Sequence, residues 1–376
     1  ILFFVDIVKK YNFKTCVVGQ HSYLNSSTIL FRICSVIKKD TNFFIATGPE
    51  FIHYKFPKNN LFTLPFSIRP EYLKTINFKN KKIIKGYKIH LDKKNKGKII
   101  QNHDNMNANY KKKMFSKTQI LKKIQVKKNE NYKSIALYAA HVFADGPHGS
   151  GKMLFDDYYD QLLFTIDKMK QNKDVLYILK SHPSSFLLNE EGFLENFYKE
   201  NYIGKHKNIK LCPKNIKTNA ILSIVDTVIT CSGTAGLEIA ALYGKRPLLA
   251  GSSHYSHLGF TQDCKTRSEY YKYLANPKLL PKLSNLDKIN ANKTIYLIEK
   301  VLKSINIGNF FPKNIRVYKY KKISLISDKK YMKQLIINSK KIKIKEDIYF
   351  KYIKKVIKFG MSRKLSKLYK PNLDNL

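Results

Sequence analysis

"TCSGTAGLEIAALYGKRPLLAG", residues 230–251, is the stretch on which the fold turns. An apolar run ends at Thr230, small residues follow at Ser232, Gly233 and Thr234, an amphipathic stretch continues to Tyr243, and a second apolar run closes at Gly251. Strand, small-residue turn, helix and strand in that order make one unit of a parallel α/β sheet. The turn then lies at the carboxyl edge of the sheet. Free backbone N–H groups at the start of the helix, with the helix dipole behind them, suit a phosphate there. Gly233 permits close approach, and the hydroxyls of Ser232 and Thr234 add two donors. Glu238, one turn into the helix, is placed to reach the hydroxyls of a ribose. The competing reading is an ordinary helix cap supplied by Ser232 or Thr234.

Working outward, the same alternation recurs on both sides. "KSIALYAAHVFAD" (133–145) reads as a buried strand running into a loop, and "LFDDYYDQLLFTIDKMKQN" (154–172) has helical spacing. "DVLYILKSHP" (174–183) and "ILSIVDTVIT" (221–230) read as further strands, and "RPLLAG" (246–251) as the last. Repetition of strand, helix and strand predicts a doubly wound sheet. Nearer the amino end, "FKTCVVGQ" (13–20) and "TNFFIAT" (41–47) read as strands around a helix over "NSSTILFRICSVIKK" (25–39), with Asn25 or Ser26 as N-cap. From Asn77 to Lys133 the chain is polar and Lys-rich, with a helix over "KTQILKKIQV" (117–126). Beyond residue 290, "KTIYLIEKVLKSI" (293–305) has helical spacing and opens a Lys-laced tail. The predicted organisation is an amino-terminal Rossmann-like domain with a linker over residues 1–130, a second Rossmann-like domain over 131–290, and a basic, mostly helical tail over 291–376.

The formal net charge of +43 invites a nucleic-acid reading, which the composition argues against. The excess is Lys, with Arg confined to six positions, and Lys rises with Asn, Ile, Tyr and Phe while Trp is absent. Those are the residues of A/T-rich codons, and nucleic-acid readers favour the planar fork of Arg. No specific nucleic-acid partner is expected. A surface this basic is nevertheless attracted to anionic membranes, so the expected location is cytoplasmic, peripheral on the inner face of the cell membrane. The opening "ILFFVDIV" is too short for a span or a signal peptide, and its start at Ile1 is read as that of a fragment or processed product. The five cysteines are scattered, with no C-x-x-C, and match neither a disulfide framework nor a zinc site.

Further motifs lie at expected strand ends. "LKSHPSS" (179–185) offers Lys180 and His182 as cationic or donor groups on the same sheet edge as the Ser232 turn, so that a phosphate would be held from two sides. "GPHGSGKM" (146–153) has the glycine and lysine spacing of a P-loop, but Met153 stands where a nucleotidase needs a hydroxyl for magnesium. In the preferred reading Asp145 and His148 project toward the same crevice as candidates for the general base; the plain alternative for Asp145 is a turn former before Gly146. His21, following the first strand, is a third candidate base, facing the second domain across a cleft; the plain alternative is a loop histidine. His254, His257 and Arg267 are read as shaping a pocket for the sugar portion of a ligand.

Four segments in order, "AHVFADGPHGSGKMLFDDYYDQL" (140–162), "LKSHPSS" (179–185), "VITCSGTAGLEIAALYGKRPLLAGSSHYSHLGFT" (228–261) and "TRSEYYKYL" (266–274), resemble the capsule and surface polysaccharide biosynthesis proteins. That group is similar to the bacterial Kdo transferases, which are GT-B glycosyltransferases. The resemblance implies a GT-B-like pair of Rossmann-like domains facing a cleft, no metal and no cofactor, and a nucleotide sugar held by the carboxyl-terminal domain. By the same resemblance His182 and Ser232 to Thr234 bind the donor phosphate, and Glu238 matches the ribose-binding position. The acid-rich motifs of the Kdo transferases' first domain have no match here, which leaves the base and the donor sugar open. The implied activity is transfer of a sugar from a nucleotide donor to a polysaccharide or lipid-linked acceptor, with CMP-Kdo, CMP-sialic acid, CDP-glycerol and a UDP- or GDP-sugar as candidate donors. Glycerophosphate transfer from CDP-glycerol, UDP-sugar 2-epimerisation, and a non-catalytic role in polysaccharide export or assembly are the alternatives.

Overall fold

The computed structural model describes residues 2–11, 14–18, 26–38, 40–47, 50–55, 115–146, 153–201 and 203–296, with the single positions 89, 92 and 337. The chain divides into two compact units, one of Ile1–His21, Ile29–Asn59 and Leu297–Leu376, the other of Ser22–Thr28 and Asn60–Tyr296.

In the first unit, helix α1 (Leu2–Lys10) leads to strand β1 (Thr15–Val18), helix α2 (Ser26–Ile37, in this unit from Ile29 on) and strand β2 (Asn42–Thr47). β1 and β2 pair in parallel, as a crossover through a helix requires. Strand β3 (Glu50–Lys55) then returns antiparallel to β2, with Thr47 opposite Glu50. This third strand departs from the purely parallel expectation. Val8, Val18, Phe31 and Cys34 form the buried core.

The second unit carries the segment quoted above. Helix α3 (Lys117–Lys123) starts in a capping box, in which Ser116 accepts from the Gln119 N–H and the Gln119 side chain accepts from the Ser116 N–H. Strand β4 (Ser134–Ala139), helix α4 (Tyr158–Gln171) and strand β5 (Val175–Lys180) follow the predicted order. Helix α5 (Phe193–Glu200), strand β6 (Ile209–Leu211), helix α6 (Thr218–Ile224), strand β7 (Thr227–Thr230) and helix α7 (Thr234–Tyr243) come next. Strands β8 (Leu248–Leu249) and β9 (Gln262–Asp263) and helices α8 (Arg267–Ala275) and α9 (Asn285–Tyr296) complete the described chain. No described helix is long and apolar enough to cross a membrane.

The six strands pair in the order β6-β5-β4-β7-β8-β9, every neighbouring pair parallel. Counted along this unit, that is the 3-2-1-4-5-6 order of a doubly wound sheet. Every residue of β5 is buried, because helices cover both faces. Tyr138, Tyr177 and Leu179 pack with α4 and α8 on one face, and Leu137, Leu176 and Ile178 with α3 and α6 on the other.

One expected strand is corrected. Within "ILSIVDTVIT" residues 221–224 end helix α6, and only Thr227–Thr230 is strand. Ile221 and Leu222, within the helix, are buried in the cluster that holds Ile120 and Ile216. Asp226 fixes the change of structure, since its N–H donates to the Ile135 carbonyl at 2.7 Å and its carboxylate accepts the Ile135 N–H at 2.8 Å. The beginning of β7 is thereby clamped to β4.

Candidate functional site

The sheet order reverses between β4 and β7, and their carboxyl ends form the switch point where open α/β sheets hold ligands. The residues that meet there are His141, just beyond β4, and the Thr230 to Thr234 turn beyond β7. His141 Nε2 accepts the Ser232 N–H at 3.0 Å and lies 3.3 Å from Thr230 Oγ1, which accepts the Gly233 N–H at 3.2 Å. Because Nε2 accepts from a backbone N–H, the neutral ring carries its proton on Nδ1, and the Thr230 hydroxyl donates to Nε2. The His141 ring stacks on Tyr158 of α4, with centroids 4.3 Å apart at 8°, and lies parallel to the His182 ring at 6.4 Å and 12°. Enclosure, and secondarily the His182 ring, lower the His141 pKa to about 3, against an upward pull from Asp145. The imidazole is neutral at neutral pH.

The turn therefore differs from the cradle of free donors predicted above. The Ser232 and Gly233 N–H groups are already taken, by His141 and Thr230. Nor does Ser232 or Thr234 cap the helix: Gly233 is the N-cap residue, and no side chain caps it. What remains for an anion is the start of α7 at Thr234 and Ala235, whose N–H groups lack intrahelical acceptors by geometry, with the half-buried Ser232 and exposed Thr234 beside them.

Close packing explains two glycines. A Cβ on Gly233 would lie 2.8 Å from Thr230 Oγ1, and one on Gly236 would lie 2.5 Å from Tyr255 Oη. Tyr255 is fully buried and donates to the Gly233 carbonyl at 2.5 Å, so its hydroxyl has nowhere to go. Gly236→Ala is expected to cost about 1–3 kcal/mol by overpacking, and Tyr255→Phe in the same chain to recover part of that. Urea midpoints of the single and double variants check it, and an additive double variant would contradict the contact.

The remaining predicted residues divide. His182 does reach the switch point; its Nδ1 accepts the Ser184 N–H at 3.1 Å, which orients the ring. Asp145 accepts the following Gly146 N–H at 2.9 Å, as a turn former does, and its charge also acts on His141. Lys180 is a correction. It is 9% exposed, its ammonium donates to the Ile216 carbonyl at 3.1 Å and lies 3.8 Å from Cys212 Sγ, so the lysine is committed to the loop after β6. Period-two alternation accounts for this, since residues 176, 178 and 180 share the face that packs on α3 and α6. Glu238, expected at a ribose, is only 5% exposed. Burial first and the Glu238 charge second raise the pKa of the Tyr243 phenol. His21 and His148 lie outside the described residues.

The three residues expected to shape a sugar pocket have other engagements. Burial lowers the His254 pKa to about 4, and its ring packs edge-on against Tyr255. His257 is exposed, with Nδ1 3.4 Å from Asp263 Oδ2. Arg267 pairs with Asp160 at 2.6 Å, donates to the Leu154 carbonyl and covers the Phe155 ring. Cys231 carries no reactive thiolate, since burial raises its pKa to about 12. Among the described residues no group of three metal-ligating side chains converges.

No family model matches the chain, and no curated protein does. Solved structures similar to it include a β-Kdo 2,4-transferase, KpsC of Thermosulfurimonas dismutans, at 13% identity over 73% of this chain and 78% of that one, with a TM-score of 0.42. Anabaena HepE in complex with UDP-glucose is similar at 16% identity over 51% of each chain, TM-score 0.31. The UDP-GlcNAc 2-epimerase of Methanocaldococcus jannaschii, in complex with UDP-GlcNAc and UDP, is similar at 11% identity over 79% of this chain and 78% of that one, TM-score 0.30.

Proposed function

We propose that this chain is a glycosyltransferase that takes its sugar from a nucleotide donor, with the donor phosphate at the switch point between β4 and β7. The observation that carries the reading is the locked turn: His141 and Thr230 hold the Ser232 and Gly233 N–H groups and so fix the side-chain-uncapped start of α7 in place. Donors fixed before the ligand arrives need no reorganisation when charge develops.

In this reading the acceptor hydroxyl attacks the anomeric carbon, the bond from that carbon to the phosphate oxygen breaks, and the nucleotide leaves with the electron pair. The start of α7, the Ser232 and Thr234 hydroxyls and His182 stabilise the departing charge. The acceptor's proton goes to a carboxylate or imidazole, for which Asp145 is the described candidate. The donor is a CMP- or CDP-linked sugar, the acceptor a surface polysaccharide or its lipid-linked precursor, and the site of action the cytoplasmic face of the membrane. The motifs at 140–162, 179–185, 228–261 and 266–274 support that choice by their resemblance to capsule polysaccharide proteins.

A thermal-shift panel of CMP, CDP, UDP, GDP and ATP tests it, on wild type and on the double variant His182→Ala, Ser232→Ala. Stabilisation by a cytidine nucleotide is expected, about 2.7 kcal/mol at a hundredfold excess over Kd, with loss in the double variant. Stabilisation by ATP alone, dependent on Lys152, would replace this reading with a P-loop nucleotidase. No shift with any nucleotide would leave the turn a structural element.

A further inference from the structure

The loop that leaves β4 already carries an anion. The Phe143 N–H donates to one oxygen of the Glu190 carboxylate at 2.8 Å, and the Ala144 N–H donates to the other. Two successive backbone N–H groups converging on one anion form a nest, and here both carboxylate oxygens are engaged. The nest begins two residues after His141, so it lies on the same sheet edge as the Ser232 turn. Glu190 arrives from the next crossover, where left-handed backbone at Asn189 (φ 59°) and Gly192 (φ 87°) brackets it and folds it back onto the β4 loop.

The neighbouring acids behave differently. Glu191 and Glu195 both pair with Lys214, whereas among the described residues no lysine or arginine pairs with Glu190. Its charge is met by backbone dipoles, which is the environment an incoming oxyanion would inherit. Ala144 is exposed and Glu190 partly so, and the nest is open to solvent on that side.

We propose that the Phe143–Ala144 nest is an oxyanion subsite of the switch point, and that Glu190 is the internal anion that fills it until a ligand oxyanion displaces it. The ligand group is a pair of oxygens sharing negative charge. It is either the phosphate of a nucleotide or the carboxylate of a sugar acid, which present the same geometry to two N–H donors. The inference deepens the nucleotide-sugar reading and rests on it for the ligand's identity.

The test is calorimetric titration of the full chain with inorganic pyrophosphate, CMP and a free sugar acid, on wild type, Glu190→Ala, Glu190→Gln and Glu191→Gln. An internal competitor holding the nest about nine-tenths of the time would lower apparent affinity about tenfold, and its removal would restore it. That gain is expected for Glu190→Ala, a smaller gain for Glu190→Gln, which keeps one acceptor, and none for Glu191→Gln. Should the alanine variant fail to fold, the glutamine variant decides, since it retains the side-chain volume. A gain with pyrophosphate and CMP identifies the phosphate, and a gain with the sugar acid alone identifies the carboxylate. Equal affinities in wild type and both Glu190 variants overturn the proposal, as does an equal gain in Glu191→Gln, which would mark a general charge effect. Failure of every variant to bind any anion overturns it too. A pyrophosphate gain without nucleotide binding would keep the nest and remove the glycosyltransferase reading, whereas nucleotide binding indifferent to Glu190 would do the reverse.

Discussion

Replacing His141 with alanine is expected to lower stability by about 2–4 kcal/mol and to abolish whatever nucleotide binding the wild type shows. The substitution deprives the Ser232 N–H and the Thr230 hydroxyl of their common acceptor, and a polar group left unpaired away from water costs about 1–3 kcal/mol. It also removes the ring stacked on Tyr158, where aromatic pairs contribute about 0.5–1.5 kcal/mol beyond area burial. Those terms would sum higher but for the partial exposure of the turn. His141→Gln is the informative companion, because its amide oxygen can take the place of Nε2 as an acceptor while the ring stacking is lost. Urea midpoints and cytidine-nucleotide titrations on both variants separate the two roles. If glutamine restores binding but only part of the stability, His141 acts by holding the turn. If alanine leaves both unchanged, the hydrogen bonds at Nε2 contribute nothing measurable and the turn is held by Tyr255 and the packing of α7.

His141 was also the residue least visible in the sequence. It follows "ALYAA" as any loop residue might, and its importance depends on β4 lying beside β7, a pairing between segments about ninety residues apart. Strand order is a long-range property, so the switch point could be placed at the sheet edge in general but not at His141 in particular. Glu190 was hidden for the same reason, its partners being 46 and 47 residues away. What was legible rested on local pattern. The apolar runs at β4 and β5 and the spacing along α4 specify their elements almost unaided, because burial on both sheet faces leaves no alternative. The misreading of residues 221–224 arose where one apolar run contains the end of a helix and the start of a strand, which periodicity over so few residues does not separate. Lys180 is the instructive miss. Its alternation with Leu176 and Ile178 was there to be counted, and would have turned it away from the expected phosphate.

Acid is expected to destabilise the second unit as the pH falls from 6.5 to 5. Two imidazoles are held neutral in the folded chain, His141 with its pKa lowered to about 3 and His254 to about 4, mainly by burial. In the unfolded chain both return to about 6.5. The stability they contribute is therefore complete above that value. As pH falls through 6.5 the unfolded state takes up protons that the native state refuses, and the loss continues toward the folded values near 4 and 3. Each histidine contributes a slope of about 1.4 kcal/mol per pH unit. Together they remove about 3–4 kcal/mol between pH 6.5 and 5, a large part of the 5–15 kcal/mol typical of a domain. Urea midpoints at pH 7.5, 6.5, 5.5 and 5 measure this. His141→Gln should roughly halve the slope, since one of the two titrating rings is gone, even though the variant starts from lower stability at pH 7.5. Stability that stays flat from pH 7.5 to 5 would mean that water reaches both rings, and the enclosure that keeps His141 a neutral acceptor for the Ser232 N–H would be lost with that result.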